Sequence, residues 1–146
     1  MIEETIEKWH RYMRGELEGG LDELLHEDCV FLSPVVFTPQ KGREITKLYL
    51  QAASQALPGD SGEASAKDSK SESGKFRYTK KILAGNYAAM EFETSVDGKS
   101  VNGIDIITCD DKGRITEFKV MIRPLQAVNA VHRQMKAMLE SMQPSS

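Results

Sequence analysis

The stretch VNGIDIITCDDKGRITEF, residues 101–118, has the pattern of two apolar β-strands joined by a polar turn. β-Branched residues recur in both arms, and the four residues DDKG supply the turn. Asp105 does not fit this pattern, because it lies between Ile104 and Ile106 in an otherwise apolar run. A lone carboxylate in such a strand costs stability if it is buried without a partner. The side of the sheet on which Asp105 lies therefore decides how the rest of the sequence is interpreted.

Hairpins on either side of this strand extend it into an antiparallel meander. Asp97-Gly98 is a dipeptide typical of a two-residue type I′ turn, in which both residues need positive φ. Residues 110–113 form the following turn. The predicted strands of the meander are 75–84, 86–96, 100–109 and 114–123.

These turns place Asp105 on the apolar face of the predicted sheet. The Asp-Gly turn sets Met90 opposite Asp105, and a second turn flanked by Cys109 and Arg114 sets Phe118 opposite it on the other side. The face of Asp105 is then mostly apolar, whereas the charged residues gather on the other face. That outer face carries Ile104 and Ile106 among Glu91, Glu93, Glu117, Lys119 and Arg123.

A carboxyl group on the apolar face has a raised pKa, because burial penalises the charged form. Perturbed acids in apolar concavities are candidates for acid–base chemistry. Asp105 could equally be a structural acid that is hydrogen-bonded to backbone amides or to a neighbouring chain, and the pattern leaves both interpretations open. The turn at Gly85-Asn86 is also ambiguous, since two loop lengths point Phe76 and Tyr78 to opposite faces.

Helices are predicted before the first strand, after it and at the end of the chain. An apolar stripe predicts a helix at 3–18 that stops at Gly19-Gly20, and a short helix follows and ends near Glu27. A strand at 29–37, a helix at 43–57 and a C-terminal helix at 124–142 complete the pattern. The fold class is therefore α+β, with helices packed on one face of a curved antiparallel sheet.

Length and composition indicate a single domain spanning 1–146, with 40% hydrophobic and 28% charged residues. Residues 58–74 contain five serines, three glycines and no large apolar side chain, which predicts a flexible low-complexity loop, with a lid as the alternative. A net charge of −3 argues against nucleic acid or an anionic membrane as the partner. The N-terminal residues lack the pattern of a signal peptide, and a cytoplasmic location is expected.

Cysteine and histidine residues give no sign of a disulfide framework or a metal site. The two cysteines lie in apolar strand patterns and are interpreted as buried free thiols. The three histidines lack the spacing of metal ligands. No metal ion and no cofactor is predicted.

Four segments of the sequence have an order and spacing that are specific when taken together. They are Trp9 and Tyr12 ahead of a Gly-Gly-Leu-Asp break, LLHEDCVFLSP at 24–34, KGREITKLYL at 41–50, and GIDIITCDDKGRITEF at 103–118. Together they resemble the nuclear transport factor 2-like (NTF2-like) superfamily, in its SnoaL-like, ketosteroid isomerase-like branch. The resemblance implies a cone-shaped sheet wrapped around the N-terminal helices, with an apolar pocket inside and, here, an extra C-terminal helix. It also implies a small apolar molecule as the ligand and a homodimer formed through the outer sheet face.

The resemblance carries specific roles for two residues. In the isomerase branch, the strand aspartate before the DDKGRI turn lines the pocket and stabilises an oxyanion in its protonated form, and Asp105 stands at the matching position. A first-helix tyrosine assists it, and Tyr12 is the match. The residues predicted to line the pocket and bind the ligand are Trp9, Phe31, Ser33, Tyr49, Met90, Phe92, Phe118 and Val120.

Two departures from the branch restrict the chemistry. The proton-shuttling aspartate that precedes a proline is replaced by Ser33, whose hydroxyl cannot shuttle a proton at neutral pH as a carboxylate can. The arginine that the limonene epoxide hydrolases need two residues before the strand aspartate is replaced by Gly103. A polyketide cyclase needs one pocket aspartate, which Asp105 alone satisfies. The sequence predicts a pocket protein with isomerase- or cyclase-type activity through Asp105, or else a dimerisation or ligand-carrier module without chemistry.

Overall fold

The computed structural model of the chain describes residues 2–56 and 75–142, and the predicted loop at 58–74 lies outside this part. The order of elements begins with two helices and a long strand and ends with a four-strand meander and a helix. The bounds are α1 Ile2–Met13, α2 Gly20–Leu24, β1 Leu25–Leu32, β2 Gln40–Lys41, α3 Arg43–Ala56, β3 Arg77–Ala84, β4 Tyr87–Val96, β5 Lys99–Cys109, β6 Ile115–Arg123 and α4 Leu125–Met142.

The described strands form one curved, unclosed sheet in the order β2-β1-β6-β5-β4-β3. β1 pairs with β6 in parallel, and every other pair is antiparallel. α1 packs against β3, β4 and β5, α3 against β1, and α4 against β4, β5 and β6. The predicted α+β cone with an additional C-terminal helix is confirmed. The parallel pair and the short strand β2 were not predicted.

The hairpin between β4 and β5 has the register that its turn residues predict. Asp97 and Gly98 have φ values of 53° and 75°, as a type I′ turn requires. Met90 lies opposite Asp105, and Phe92 lies opposite Gly103. Asp105 is therefore on the concave, apolar face of the sheet.

The register between β5 and β6 differs from the prediction by two residues. Val120, not Phe118, lies opposite Asp105, and Phe118 lies opposite Ile107. A bulge between Thr108 and Cys109 accommodates the difference. Because side chains alternate with a period of two, a displacement of two residues leaves Phe118 and Val120 on the predicted face.

The first helix ends five residues earlier than predicted. Gly15 adopts a φ of 73°, its N–H donates to Tyr12 O at 2.9 Å, and the N–H of Glu16 donates to Arg11 O at 2.8 Å. These two bonds form a Schellman motif, in which a glycine in the left-handed region ends the helix. The stop signal is therefore Gly15 and not Gly19-Gly20.

The first strand begins and ends earlier than the predicted range 29–37. It starts at Leu25, which pairs with Ile115 of β6, so α2 ends at Leu24 and not near Glu27. It stops at Leu32, because the Ser33 hydroxyl oxygen accepts hydrogen bonds from the N–H groups of Val35 (3.0 Å) and Val36 (3.3 Å). Such a serine turn diverts the chain out of the extended conformation.

Two apolar clusters lie between the helices and the sheet. The larger joins α1, α2 and β1 to the concave face, and the smaller lies under α4. Cys29 and Cys109 are buried free thiols, as predicted. No helix in the described part of the chain has the length and apolar character needed to cross a membrane. The members of the smaller cluster are Phe76, Phe92, Val96, Val101, Ala127, Ala130 and Val131.

Candidate active site

A cavity of about 580 Å³ lies between the concave face of the sheet and helices α1, α3 and α4. Residues of both apolar clusters line it, so it occupies the interior of the cone rather than a groove on its surface. Its wall holds eight of the ten aromatic residues of the chain; the other two are Phe37 and Tyr87. The eight are Trp9, Tyr12, Phe31, Tyr49, Phe76, Tyr78, Phe92 and Phe118.

Asp105 places a carboxyl group in this aromatic wall. The residue is only 5% exposed, and its Oδ2 accepts a hydrogen bond of 2.6 Å from the Tyr78 hydroxyl. Its Oδ1 accepts no hydrogen bond from any residue in the described part of the chain. One oxygen of the acid is therefore engaged by the protein, and the other is available to a molecule in the cavity.

Tyr78 is itself held by a second hydrogen bond. The indole N–H of Trp9 donates to the Tyr78 hydroxyl oxygen at 3.0 Å. Phe76 packs edge-on against the Tyr78 ring, with 5.0 Å between ring centroids. Trp9, Tyr78 and Asp105 thus form a continuous hydrogen-bonded chain from α1 through β3 to β5.

Burial shifts the pKa values of Asp105 and Tyr78. Desolvation raises the pKa of Asp105 from 3.8 to about 7, and the hydrogen bond from Tyr78 opposes the rise. Desolvation also raises the pKa of Tyr78 well above its ordinary value, and the nearby Asp105 raises it further. Tyr78 therefore stays protonated at neutral pH, while Asp105 populates both its acid and its carboxylate form.

Most of the predicted ligand-binding residues lie in the cavity wall. Met90 does not: it is fully buried in the larger apolar cluster, behind the wall. The predicted residues that line the cavity are Trp9, Phe31, Ser33, Tyr49, Phe92, Phe118 and Val120.

Tyr12 also lines the cavity, but Tyr78 is the residue that bonds to Asp105. The Tyr12 ring stacks on Trp9 with 5.5 Å between centroids, and burial raises the pKa of its hydroxyl. Sequence reasoning left the direction of Tyr78 undecided, because it depends on the loop at Gly85 and on a bulge between Tyr78 and Lys80. The available signal was the aromatic pair at alternate positions, Phe76 and Tyr78, both of which line the cavity.

The two departures from the family pattern have structural consequences. Ser33 lies in the cavity wall, and its hydroxyl oxygen is occupied by two backbone N–H groups. A Cβ at Gly103 would overlap the ring of Phe92 and approach the carbonyl oxygen of Met121 to 2.7 Å. Position 103 therefore has no room for the arginine of an epoxide hydrolase.

Three titratable residues at the exposed rim of the cavity come from α4. His132, Lys136 and Glu140 are exposed and lie at four-residue steps along one side of the helix. Within residues 2–56 and 75–142, no group of three or more His, Cys, Asp or Glu side chains could hold a metal ion. Among the described residues that line the cavity, the carboxyl groups are those of Asp105, which is buried, and Glu140, which belongs to the solvent-exposed rim.

Comparisons with known proteins identify solved structures of similar fold. No protein-family profile matches the chain, and neither does any curated protein. Among solved structures, a steroid delta-isomerase from Pseudomonas aeruginosa superposes with a TM-score of 0.79 and 29% identity, over 96% of this chain and 92% of that one.

Two more distant structures share the fold. An NTF2-like protein from Mesorhizobium loti has a TM-score of 0.64 and 20% identity, over 84% of this chain and 91% of that chain. A protein of the SnoaL-like family from Agrobacterium tumefaciens has a TM-score of 0.53 and 15% identity, over 82% and 95% of the two chains. The chain accordingly has the fold of NTF2-like proteins, and it resembles their SnoaL-like, ketosteroid isomerase-like branch.

Proposed function

We propose that the chain binds a small, largely apolar molecule in the cavity and catalyses proton transfer on it through Asp105. The observation that carries this proposal is the position of the acid. A carboxyl group with one oxygen free lies in a wall built from aromatic side chains, in a cavity of about 580 Å³. Pockets that combine an apolar wall with a perturbed acid are typical of catalytic sites.

The protonation state of Asp105 suits a general acid–base. The pKa of about 7 means that the acid and carboxylate forms coexist at neutral pH, which is the condition for efficient proton transfer. In its neutral form Asp105 donates a hydrogen bond or a proton to a carbonyl oxygen. In its ionised form it removes a proton from an acidic carbon or hydroxyl of the ligand.

The reaction class that fits is one in which a single carboxyl group both delivers and removes the proton. Ser33 replaces the second carboxylate of the isomerase branch, and the exposed Glu140 belongs to the rim. An isomerase- or cyclase-type reaction of a cyclic or polycyclic ketone meets this requirement. The similarity to a structure named as a steroid delta-isomerase supports the same class of ligand.

Proton exchange provides the test. Cyclic ketones with a β,γ double bond are incubated with the protein in D₂O, and NMR follows the incorporation of deuterium at the acidic carbon. The wild type should accelerate exchange and conjugation of the double bond, and Asp105→Asn should abolish both while keeping the cavity shape. Ketones that bind with no exchange above the rate in buffer would contradict the catalytic proposal.

The second candidate is a ligand carrier that performs no chemistry. The observation that favours it is Ser33, because the loss of the usual base leaves Asp105 as a hydrogen-bond donor for a bound oxygen. Mass spectrometry of the gently extracted protein separates the candidates. A carrier retains an unmodified apolar ligand and exchanges no protons, whereas an enzyme turns its ligand over.

We further propose that two copies pair through the convex face of the sheet. Met121 is 52% exposed and lies directly opposite Ile104 on that face. A mixture of apolar and charged side chains is typical of an interface rather than of a solvated sheet. The apolar members are Ile82, Tyr87, Ile104, Ile106 and Met121, with Glu117, Lys119 and Arg123 at the periphery.

Light scattering of one charged variant tests this dimer. Ile106→Glu puts the new carboxylate opposite Lys119, so the single chain accommodates the charge while the interface loses an apolar contact. The wild type should scatter as a dimer and the variant as a monomer. Leu125→Glu, at an apolar residue that is 72% exposed at the start of α4, is the matched control and should remain dimeric. A monomeric wild type at high micromolar concentration would remove the idea.

A further inference from the structure

We infer that Trp9 and Tyr78 are positioning residues that hold the proton of neutral Asp105 on Oδ1, the oxygen that faces the cavity. The inference rests on the proposed function, because it specifies which atom of Asp105 meets the ligand. It is derived from the directions of two hydrogen bonds. Neither residue needs to touch the reacting atoms of the ligand for this role.

The direction of the first bond is fixed by chemistry. An indole N–H can only donate, so Trp9 must donate to the Tyr78 oxygen across their 3.0 Å separation. That oxygen then uses a lone pair toward Trp9 and turns its own hydrogen elsewhere. In the described part of the chain, Asp105 Oδ2 at 2.6 Å is the acceptor within reach of that hydrogen.

The direction of the second bond places the proton of the acid. With the Tyr78 hydroxyl hydrogen directed at Oδ2, a proton on that same oxygen would either meet that hydrogen or, on the other lone pair, leave Oδ2 a weaker acceptor than a carbonyl oxygen. Turning the Tyr78 hydrogen away would leave it without an acceptor in a desolvated site, which is unfavourable. The hydrogen bond from Tyr78 therefore favours the proton of neutral Asp105 on Oδ1, and the cavity is then presented with an O–H donor at that point.

The arrangement defines what the ligand must offer. When Asp105 is neutral, the ligand group beside Oδ1 must be a hydrogen-bond acceptor such as a carbonyl oxygen. When Asp105 is ionised, Oδ1 becomes an acceptor and favours an enol, a phenol or an acidic C–H. The cavity thus accepts the neutral ketone and the enol form of one molecule at the same atom.

Other titratable groups lie near the hydrogen-bonded series Trp9, Tyr78 and Asp105. Tyr78 on β3 faces Asp105 directly, and Tyr12 on α1 lines the same cavity. His10 on α1 contacts the Tyr78 ring with 5.6 Å between ring centroids. The Nζ of Lys81 lies 2.9 Å from the Nε2 of His10. On α4, His132, Lys136 and Glu140 lie at the exposed rim.

The single tryptophan of the chain makes the inference testable without a ligand. Ionised Asp105 draws the Tyr78 hydroxyl into a charge-assisted hydrogen bond, which makes the Tyr78 oxygen a better acceptor for the indole N–H. In ¹H–¹⁵N spectra recorded from about pH 5 to pH 9, the indole N–H signal should move downfield with a midpoint near the pKa of Asp105. The full-length, ligand-free protein is used throughout.

Two variants assign the titration to its cause. The downfield movement should vanish in Asp105→Asn and persist in His10→Asn, since His10 contacts the Tyr78 ring and its Nε2 lies 2.9 Å from Lys81 Nζ. An indole signal that does not titrate in the wild type, or that titrates equally in Asp105→Asn, would overturn the inference. A titrating indole in a protein that exchanges no ligand protons would support the inference and contradict the catalytic proposal, so the two failures are distinguishable.

Discussion

Replacing Asp105 by asparagine should change the dependence of stability on pH in a way that can be calculated. The substitution keeps the shape of the side chain and an oxygen for the Tyr78 hydroxyl, and it removes the ionisable group. In the folded protein the pKa of Asp105 is raised from 3.8 to about 7, so the folded state binds the proton more tightly than the unfolded chain does. Stability from this group is therefore present at low pH and is lost as pH rises from about 4 to about 7.

The magnitude follows from the size of this shift. A pKa difference of roughly three units corresponds to about 4 kcal/mol once the group is ionised in both states. Between pH 5 and pH 8, linkage gives a loss of about 2.5 kcal/mol in the free energy of unfolding of the wild type relative to Asp105→Asn. Asp105 is only 5% exposed, so solvent screening does not reduce this figure greatly.

Urea denaturation at several pH values between 5 and 8 measures the effect. Every other ionisable group is common to both proteins, so the difference in their unfolding free energies isolates Asp105. That difference should grow in favour of Asp105→Asn by about 1.4 kcal/mol per pH unit below pH 7 and level off above it. A difference that does not change with pH would refute the raised pKa.

A second variant, Asp105→Ala, separates the functional from the structural interpretation of Asp105. Asp105→Ala leaves the Tyr78 hydroxyl hydrogen without its acceptor and should cost about 1–3 kcal/mol at every pH. If Asp105→Asn destabilises the protein as much as Asp105→Ala does, then Asp105 is an ionised structural anchor. The acid–base proposal would have to be withdrawn.

Three further expectations follow from the same contacts. Tyr78→Phe removes a hydrogen bond that lowers the pKa of Asp105, so the Asp105 carboxyl should titrate at higher pH by NMR. Tyr12→Phe should leave the titration midpoint of Asp105 unchanged, and equal effects of the two variants would contradict the assignment of Tyr78. The affinity for a saturated cyclic ketone, measured by calorimetry, should fall as pH rises through about 7, because ionised Asp105 no longer donates; an affinity independent of pH would place the ketone away from this acid. Gly103→Ala should lower the free energy of unfolding, measured in urea, by about 1–3 kcal/mol. Adding Phe92→Leu should restore part of that loss, because it removes the ring that the new methyl group overlaps. No loss in Gly103→Ala would mean that the strand shifts to make room.

Local signals in the sequence predicted the elements and the position of Asp105. The Asp97-Gly98 turn determines one register with no further information, because few dipeptides accept two positive φ values. The other register was off by two residues, and the concave face was still correct because the period of a strand is two. The alternation of apolar and polar residues therefore sufficed to put Asp105 inside the cone.

What the sequence could not give depends on long-range or irregular geometry. The parallel pairing of β1 with β6 joins residues far apart in the chain, and no turn encodes it. The direction of Tyr78 depends on a bulge beside it, so the residue that bonds to Asp105 was undecided while Tyr12 was proposed from the resemblance. Met90 was expected in the cavity wall because it shares the face of Asp105, but packing encloses it in the core.

The most direct test of the central claim is the titration of the Asp105 carboxyl carbon, observed by ¹³C NMR in the ligand-free protein and assigned with Asp105→Asn. The claim is that this acid lies desolvated in the cavity and is ready to exchange a proton near neutral pH. The predicted result is a midpoint at about 7. A midpoint near 4, the value of an aspartate in water, would mean that Asp105 is solvated or anchored in its ionised form, and it would contradict the acid–base role.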